Sequence, residues 1–186
     1  MAERNTWARA THELGLAAWF GGSLMGAVGL NAAAKQASEP TERLPVANAG
    51  WARWTPVNAT AIAAYVGGGL ALMWGNKGRL VGQQGVAGTT VAKNVLSLVT
   101  LGATAYSRVL GQRLMEYEKV PVADGTTPLP DTPAEVRSIQ RQLKILQYAI
   151  PVHVAGLIVF NAMMGEQQRP AQVAHGLTRR LLPKAD

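Results

Sequence analysis

The chain contains no cysteine, and only 16% of its 186 residues are charged. The lack of cysteine excludes disulfides, thiolate metal sites and cysteine nucleophiles together. The scarcity of charge, in a chain that is 48% hydrophobic, favours a membrane protein over a soluble globule. The mean hydropathy is only +0.05, because Gly- and Ala-rich apolar blocks alternate with polar connections.

Familiar catalytic patterns are lacking as well. No glycine-rich phosphate loop follows a strand, no serine, histidine and aspartate stand in a triad-like order, and no apolar block carries a pair of carboxylates. The sequence therefore predicts that the protein is not an enzyme and holds no cofactor.

Basic residues are in excess, with a formal net charge of +7 and an isoelectric point near 10.1. They are spread over all the polar connections and form no dense patch. We therefore expect a bilayer with anionic headgroups as the partner of these charges, and not nucleic acid.

Four largely uncharged blocks predict an all-α fold, an integral membrane four-helix bundle in a single domain. The spans are expected at about 12–34, 56–75, 91–112 and 145–165, followed by a basic cytoplasmic tail at 166–186. Four spans put both termini on one side. Cations after the second span and in the tail lie beside helix ends, which favours cytoplasmic termini in the cell membrane.

The third and fourth helices are expected to extend beyond the bilayer. The third has no helix breaker before Pro121 and is expected to continue through Glu118. The fourth is expected to start at Pro133 behind a capping Thr132. The connection at 35–55 is expected to be irregular, because prolines and a glycine interrupt it.

Small residues recur at three- and four-residue spacing along the first two predicted helices, so each helix has a narrow groove on one side. Such grooves let helix backbones approach closely, and we expect the first two helices to pack against each other. The predicted packing residues are Gly15, Ala18, Gly22, Gly26, Gly29, Ala64, Gly68 and Ala71. The residues of the first helix expected to face lipid are Leu16, Phe20, Leu24 and Val28.

The third predicted helix has a polar side with a cation near each end. This side is expected to face the bundle interior or another subunit. Its hydroxyls either join helices and bond back to their own carbonyls, or line a path for a solute or a proton. The polar stripe consists of Lys93, Asn94, Ser97, Thr100, Thr104, Ser107 and Arg108.

The two cations of the stripe are expected to behave differently. If both only snorkel to the headgroups, replacing either one is tolerated. In the alternative that we favour, Lys93 lies near a polar connection and reaches water, whereas Arg108 bonds to Glu116 or to carbonyls freed by Pro151. Replacing Arg108 with glutamine should therefore be the more harmful change.

His12 and His153 are the histidines inside the predicted spans, so they are the pair that could hold a haem. They are expected at different depths, which disfavours one haem between them. A copper site would add Met163 and Met164 as soft ligands, although methionine at such places more often packs as an apolar side chain.

Short stretches of the first half of the chain resemble the uncharacterised four-helix membrane proteins common in high-GC actinobacteria. The residues concerned are His12, Glu13, Leu14, Gly15, Leu16, Gly21, Gly22, Leu30, Asn31, Trp51, Arg53, Trp54, Pro56, Val57 and Asn58. The resemblance implies an envelope protein and no particular activity. The stretch from His12 to Gly22 also resembles the first span of copper-resistance and cytochrome-b-type membrane proteins, but the second histidine at a matching depth is missing.

Two functional hypotheses follow. The first is a structural or accessory membrane protein that packs with itself, as a homo-oligomer, or with a larger membrane complex, through its small-residue grooves and the polar stripe. The second is a small redox or metal-handling membrane protein that uses His153 for haem or copper.

Overall fold

The computed structural model describes residues 5–75, 86–117 and 119–166. This part of the chain folds as four long helices, which confirms the predicted all-α architecture. Helix α1 comprises Thr6–Met25, a π-helical turn Gly26–Leu30 and Asn31–Ala34; α2 is Arg43–Gly75, α3 is Val86–Leu114 and α4 is Ala134–Glu166. The predicted basic tail lies outside the described residues, apart from Glu166.

Three of these helices, α1, α2 and α4, are long and apolar enough to cross a membrane. The finding is compatible with a membrane protein. Helix α3 has the length of a span but does not meet the same hydropathy criterion in the described part of the chain. The physical reason is its polar stripe, since hydroxyls and two cations replace much of the aliphatic content that the other three helices carry.

Helices α1 and α2 form an antiparallel hairpin in which glycines lie at the contact along the full length. A methyl group added at Gly75 would meet the Asn5 side chain, one at Gly68 would meet the His12 backbone, and one at Gly50 would meet Leu30. The backbones of the two helices are therefore in direct contact around Gly68, and side chains of α1 pack against glycines of α2 at both ends of the hairpin.

The expectation of an irregular connection at 35–55 is wrong, because α2 already begins at Arg43. Pro45 falls in the first turn of the helix, where its missing N–H has no intrahelical acceptor to lose. Trp51 and Trp54 are therefore residues of α2. Pro56 lies inside the helix and not at its start.

One apolar core lies where α1, α2 and α4 meet. Its buried members are Leu16, Trp19, Ala61, Tyr65, Ile150, Val154 and Leu157. The prediction that Leu16 faces lipid is wrong, since it is fully buried, and Phe20 is partly buried against this core. Leu24 and Val28 are exposed, as expected for residues that face lipid.

A second apolar core lies at the end of the bundle where the connection between α3 and α4 packs. Its buried members are Leu44, Leu110, Leu114, Val122, Val136, Ile139 and Leu143. The connection is tied to the first interhelical turn, because the Val122 N–H donates to the Pro40 carbonyl and Arg43 donates to the Val122 carbonyl. The proline-rich loop is therefore a packed cap of the bundle.

Two predicted helix ends need correction. Helix α3 ends at Leu114 and not near Glu118, because the chain leaves it through tighter turns such as the Tyr117 N–H to Leu114 carbonyl bond. Thr132 does not cap α4. Its hydroxyl accepts from the Leu129 N–H and donates to the Pro121 carbonyl, which holds the loop instead.

Candidate functional site

A buried polar cluster joins α1, α2 and α3, and we take it as the first candidate site. His12 is only 2% exposed. Its Nδ1 lies 2.6 Å from the Tyr65 carbonyl oxygen, and its Nε2 lies 3.0 Å from Nζ of Lys93. Gly68 and Gly69 of α2 leave the room that the His12 backbone and ring occupy.

These contacts decide where the proton of His12 lies. A carbonyl oxygen only accepts, so Nδ1 must carry the hydrogen and donate to Tyr65. In the neutral ring Nε2 is then an acceptor, which suits a donor such as the Lys93 amine. Both ring nitrogens of His12 are therefore used within the bundle.

The ring of Tyr65 completes the cluster. It stacks on His12 with the ring centroids 4.5 Å apart, and Nζ of Lys93 lies 5.7 Å from its centroid. Its hydroxyl lies 2.6 Å from Oγ of Ser97. Because Ser97 donates its own hydrogen to the Lys93 carbonyl, the Tyr65 hydroxyl is the donor to Ser97.

The polar stripe of α3 is divided by its hydrogen bonds. The hydroxyls of Ser97, Thr100 and Thr104 each donate to the carbonyl four residues earlier, so they are satisfied within their own helix. Asn94 is exposed, and Ser107 is half-buried. The packing interpretation therefore accounts for these three hydroxyls.

The expectations for the two cations of the stripe are reversed. Lys93 does not reach water as an unbound cation, because it is half-buried against His12 and Tyr65. Arg108 is half-buried too, but within residues 5–75, 86–117 and 119–166 the structure has no hydrogen bond or ion pair for its guanidinium, to Glu116 or to the carbonyls near Pro151.

The predicted packing residues fall into two groups. Added methyl groups at Gly15 and Gly68 would collide with the backbone of the facing helix, and at Gly22 and Gly26 with tryptophan rings of α2. Ala64 is half-buried beside Gly15. The other three lie off this contact: Ala18 and Ala71 are exposed, and Gly29 has only Met25 of its own helix nearby.

The residues considered for haem or copper are not assembled into a ligand set. Asn161 of α4 donates to Glu13, next to His12, and His153 lies eight residues earlier (161 less 153), about 12 Å along the helix. His153 is half-buried, and Met163 is exposed. Among the described residues no group of three His, Cys, Asp or Glu side chains could hold a metal.

Two features of the interior were missed at the sequence level. Tyr65, the one aromatic residue in the middle of a Gly- and Ala-rich span, anchors the buried cluster. Asn31 is buried near the end of α1, where it donates to Gln147 of α4 and accepts from the Trp51 indole of α2. Uncharged amides inside apolar helices are the signal that could have indicated this second connection.

The fold and its buried clusters define a class: a helical bundle whose apolar helices are compatible with a membrane location. No family model, curated protein or solved structure matches this chain. Its function is therefore inferred from its own residues.

Proposed function

We propose that this chain is a multi-pass cell-membrane protein of structural or accessory type, with both termini in the cytoplasm. The observation that carries the proposal is that large apolar side chains are exposed and several polar side chains are buried, the reverse of the usual pattern in a soluble protein. Leu14, Leu98 and Ile145, on three different helices, are each at least 70% exposed, whereas His12, Thr100 and Gln140 are buried. A bilayer is the solvent that suits such an exterior.

The role proposed for the bundle is packing with a partner or with a second copy. Support comes from the tight α1–α2 contact and from hydroxyls of α3 that bond back to their own helix, so the interior is satisfied without a partner. These features give a rigid scaffold with an apolar exterior on α3 and α4. Purification in a mild detergent tests the role: we expect light scattering to give at least two chains per particle, or a second protein in stoichiometric amount. A lone monomer would contradict the packing role.

Four membrane crossings can be tested by cysteine labelling, because the natural chain has no cysteine. We expect Lys35→Cys and Asp131→Cys, at two exposed positions, to react with an impermeant maleimide in intact cells, and Asp186→Cys to react only after permeabilisation. Labelling of Asp186→Cys in intact cells together with protection of the other two would reverse the orientation. Labelling of all three from outside would contradict four crossings.

A second candidate function, haem or copper handling, rests on one observation: Nδ1 of His153 is buried without a hydrogen-bond partner among the described residues. The structural proposal predicts no Soret band and no stoichiometric metal in the purified protein, because both nitrogens of His12 are engaged. A Soret band, or copper that is lost in a His153→Ala variant, would favour the second function.

A further inference from the structure

A cavity of about 670 Å³ lies between α2 and α3, and α1 and α4 form its inner wall. Its volume falls in the range of about 300–1,000 Å³ that is common for small-molecule sites. Small residues of α2 and α3 face each other across it, among them Ala59, Ala63, Ala105 and Gly111. Ala59 and Ala105 are exposed, so the cavity opens sideways between the two helices.

Two hydrogen bonds join α2 and α3 at the ends of this cavity. Tyr65 bonds to Ser97 at one end, and the Asn48 amide donates to the Leu114 carbonyl at the other. Both intervals, 48 to 65 and 97 to 114, are 17 residues, or roughly 25 Å of helix. The cavity is therefore elongated along the helix axes, a shape that suits an acyl chain.

Arg108 lies on the wall of this cavity. In the antiparallel register set by the two bonds, Arg108 is level with Trp54, and Thr104 is level with Asn58. The part of the chain that the structure describes offers the guanidinium no anionic partner. A cation beside an apolar cavity selects for a ligand with an acidic group.

Two other wall residues hold polar atoms that the protein leaves unsatisfied. Trp19 is fully buried, and neither its indole nitrogen nor the Asn58 side-chain oxygen has a hydrogen-bond partner among the described residues. A donor and an acceptor without partners in one wall are costly, and a ligand with both acceptor and hydroxyl groups would satisfy them.

From these observations we infer that the cavity between α2 and α3 binds one anionic phospholipid with a hydroxyl-bearing headgroup. The lipid phosphate accepts from Arg108, and an acyl chain occupies the elongated apolar part of the cavity. This site goes beyond the packing role, because it would hold a defined lipid whether or not a protein partner is bound.

The tryptophans provide a test, since three of the five, Trp19, Trp51 and Trp54, line the cavity. Substituting Trp7→Phe and Trp74→Phe removes the two tryptophans that do not line the cavity, so the remaining fluorescence comes from the cavity wall. Phosphatidylglycerol with brominated acyl chains, titrated into this protein in detergent, is expected to quench the remaining fluorescence at about tenfold lower concentration than brominated phosphatidylcholine.

The matched variants are Arg108→Gln and Arg113→Gln, on the same helix. Arg113 is exposed and does not line the cavity. Arg108→Gln is expected to abolish the preference for phosphatidylglycerol, and Arg113→Gln to preserve it. The inference would be overturned if both lipids quench equally, or if Arg108→Gln and Arg113→Gln lose the preference for phosphatidylglycerol to the same extent.

Native mass spectrometry gives a second measurement, and its first part uses the unaltered chain, so that it does not depend on a variant's folding. We expect one phosphatidylglycerol retained per chain, and weaker retention by Trp19→Phe, which keeps an aromatic ring but loses the N–H. Retention of phosphatidylcholine to the same extent would overturn the site, and so would lipid-free dimers in which a second chain fills the cavity.

Discussion

Alanine at Gly15 or Gly68 is expected to destabilise the bundle by about 1–3 kcal/mol, although alanine favours helices over glycine. A methyl group at Gly68 would lie 2.7 Å from both the Ala8 carbonyl oxygen and the His12 amide nitrogen. At Gly15 it would meet the backbone of Ala61 and Tyr65. Backbone atoms of a packed helix cannot move aside as a flexible side chain can, so α1 and α2 would have to separate.

The chain offers matched controls for this experiment. Gly21 and Gly67 lie on the same two helices and have open space where a methyl group would be added. Alanine there is expected to be neutral or to stabilise by up to about 1 kcal/mol, because it lowers the entropy of the unfolded chain. Unfolding by heat in detergent measures all four variants. Equal midpoints for Gly68→Ala and Gly67→Ala would contradict the close contact of the two helices.

Lys93→Met is expected to lower stability by about 1–3 kcal/mol, whereas Arg108→Met should change it by no more than about 0.5 kcal/mol in lipid-free detergent. Methionine keeps most of the length of lysine but cannot donate. The substitution therefore leaves Nε2 of the buried His12 without a partner and removes the cation from the Tyr65 ring. Arg108 loses no bond to a described residue.

A double variant separates this pairing from simple loss of charge. If Lys93 and His12 stabilise each other, Lys93→Met combined with His12→Phe should cost less than the sum of the two single changes, because no unpaired acceptor remains. Denaturation of the four proteins under one set of conditions measures the coupling. Additive losses, or a greater loss for Arg108→Met than for Lys93→Met, would show that the buried cluster does not depend on this bond.

The reversal between the two cations illustrates the limit of pattern reading. Spacing on a helical wheel correctly places Lys93 and Arg108 on one polar side of the third helix. It cannot tell which of them finds a partner, since that depends on where His12 and Tyr65 are brought by two other helices. The neighbour across a helix contact is not a property of the local sequence.

Helix existence and type followed from the sequence alone. The uncharged blocks predict the helices because a long apolar stretch with helical periodicity commonly forms an α-helix. The start of α4 was predicted to within one residue, since Pro133 and the acidic first turn at Glu135 are local signals. The glycine spacing likewise predicted the pairing of α1 with α2, because residues with little or no side chain on one side of a helix let another helix approach closely.

Tertiary structure alone decided the rest. Gly50 is a helix breaker by local propensity, but packing against Leu30 of α1 keeps α2 helical through it. Leu16 is buried because α2 and α4 cover more than the glycine side of α1, and the buried cluster of His12 requires three helices at once. The cavity beside Arg108 is lined by residues of all four helices, so its presence depends on how the helices pack and cannot be predicted from local sequence.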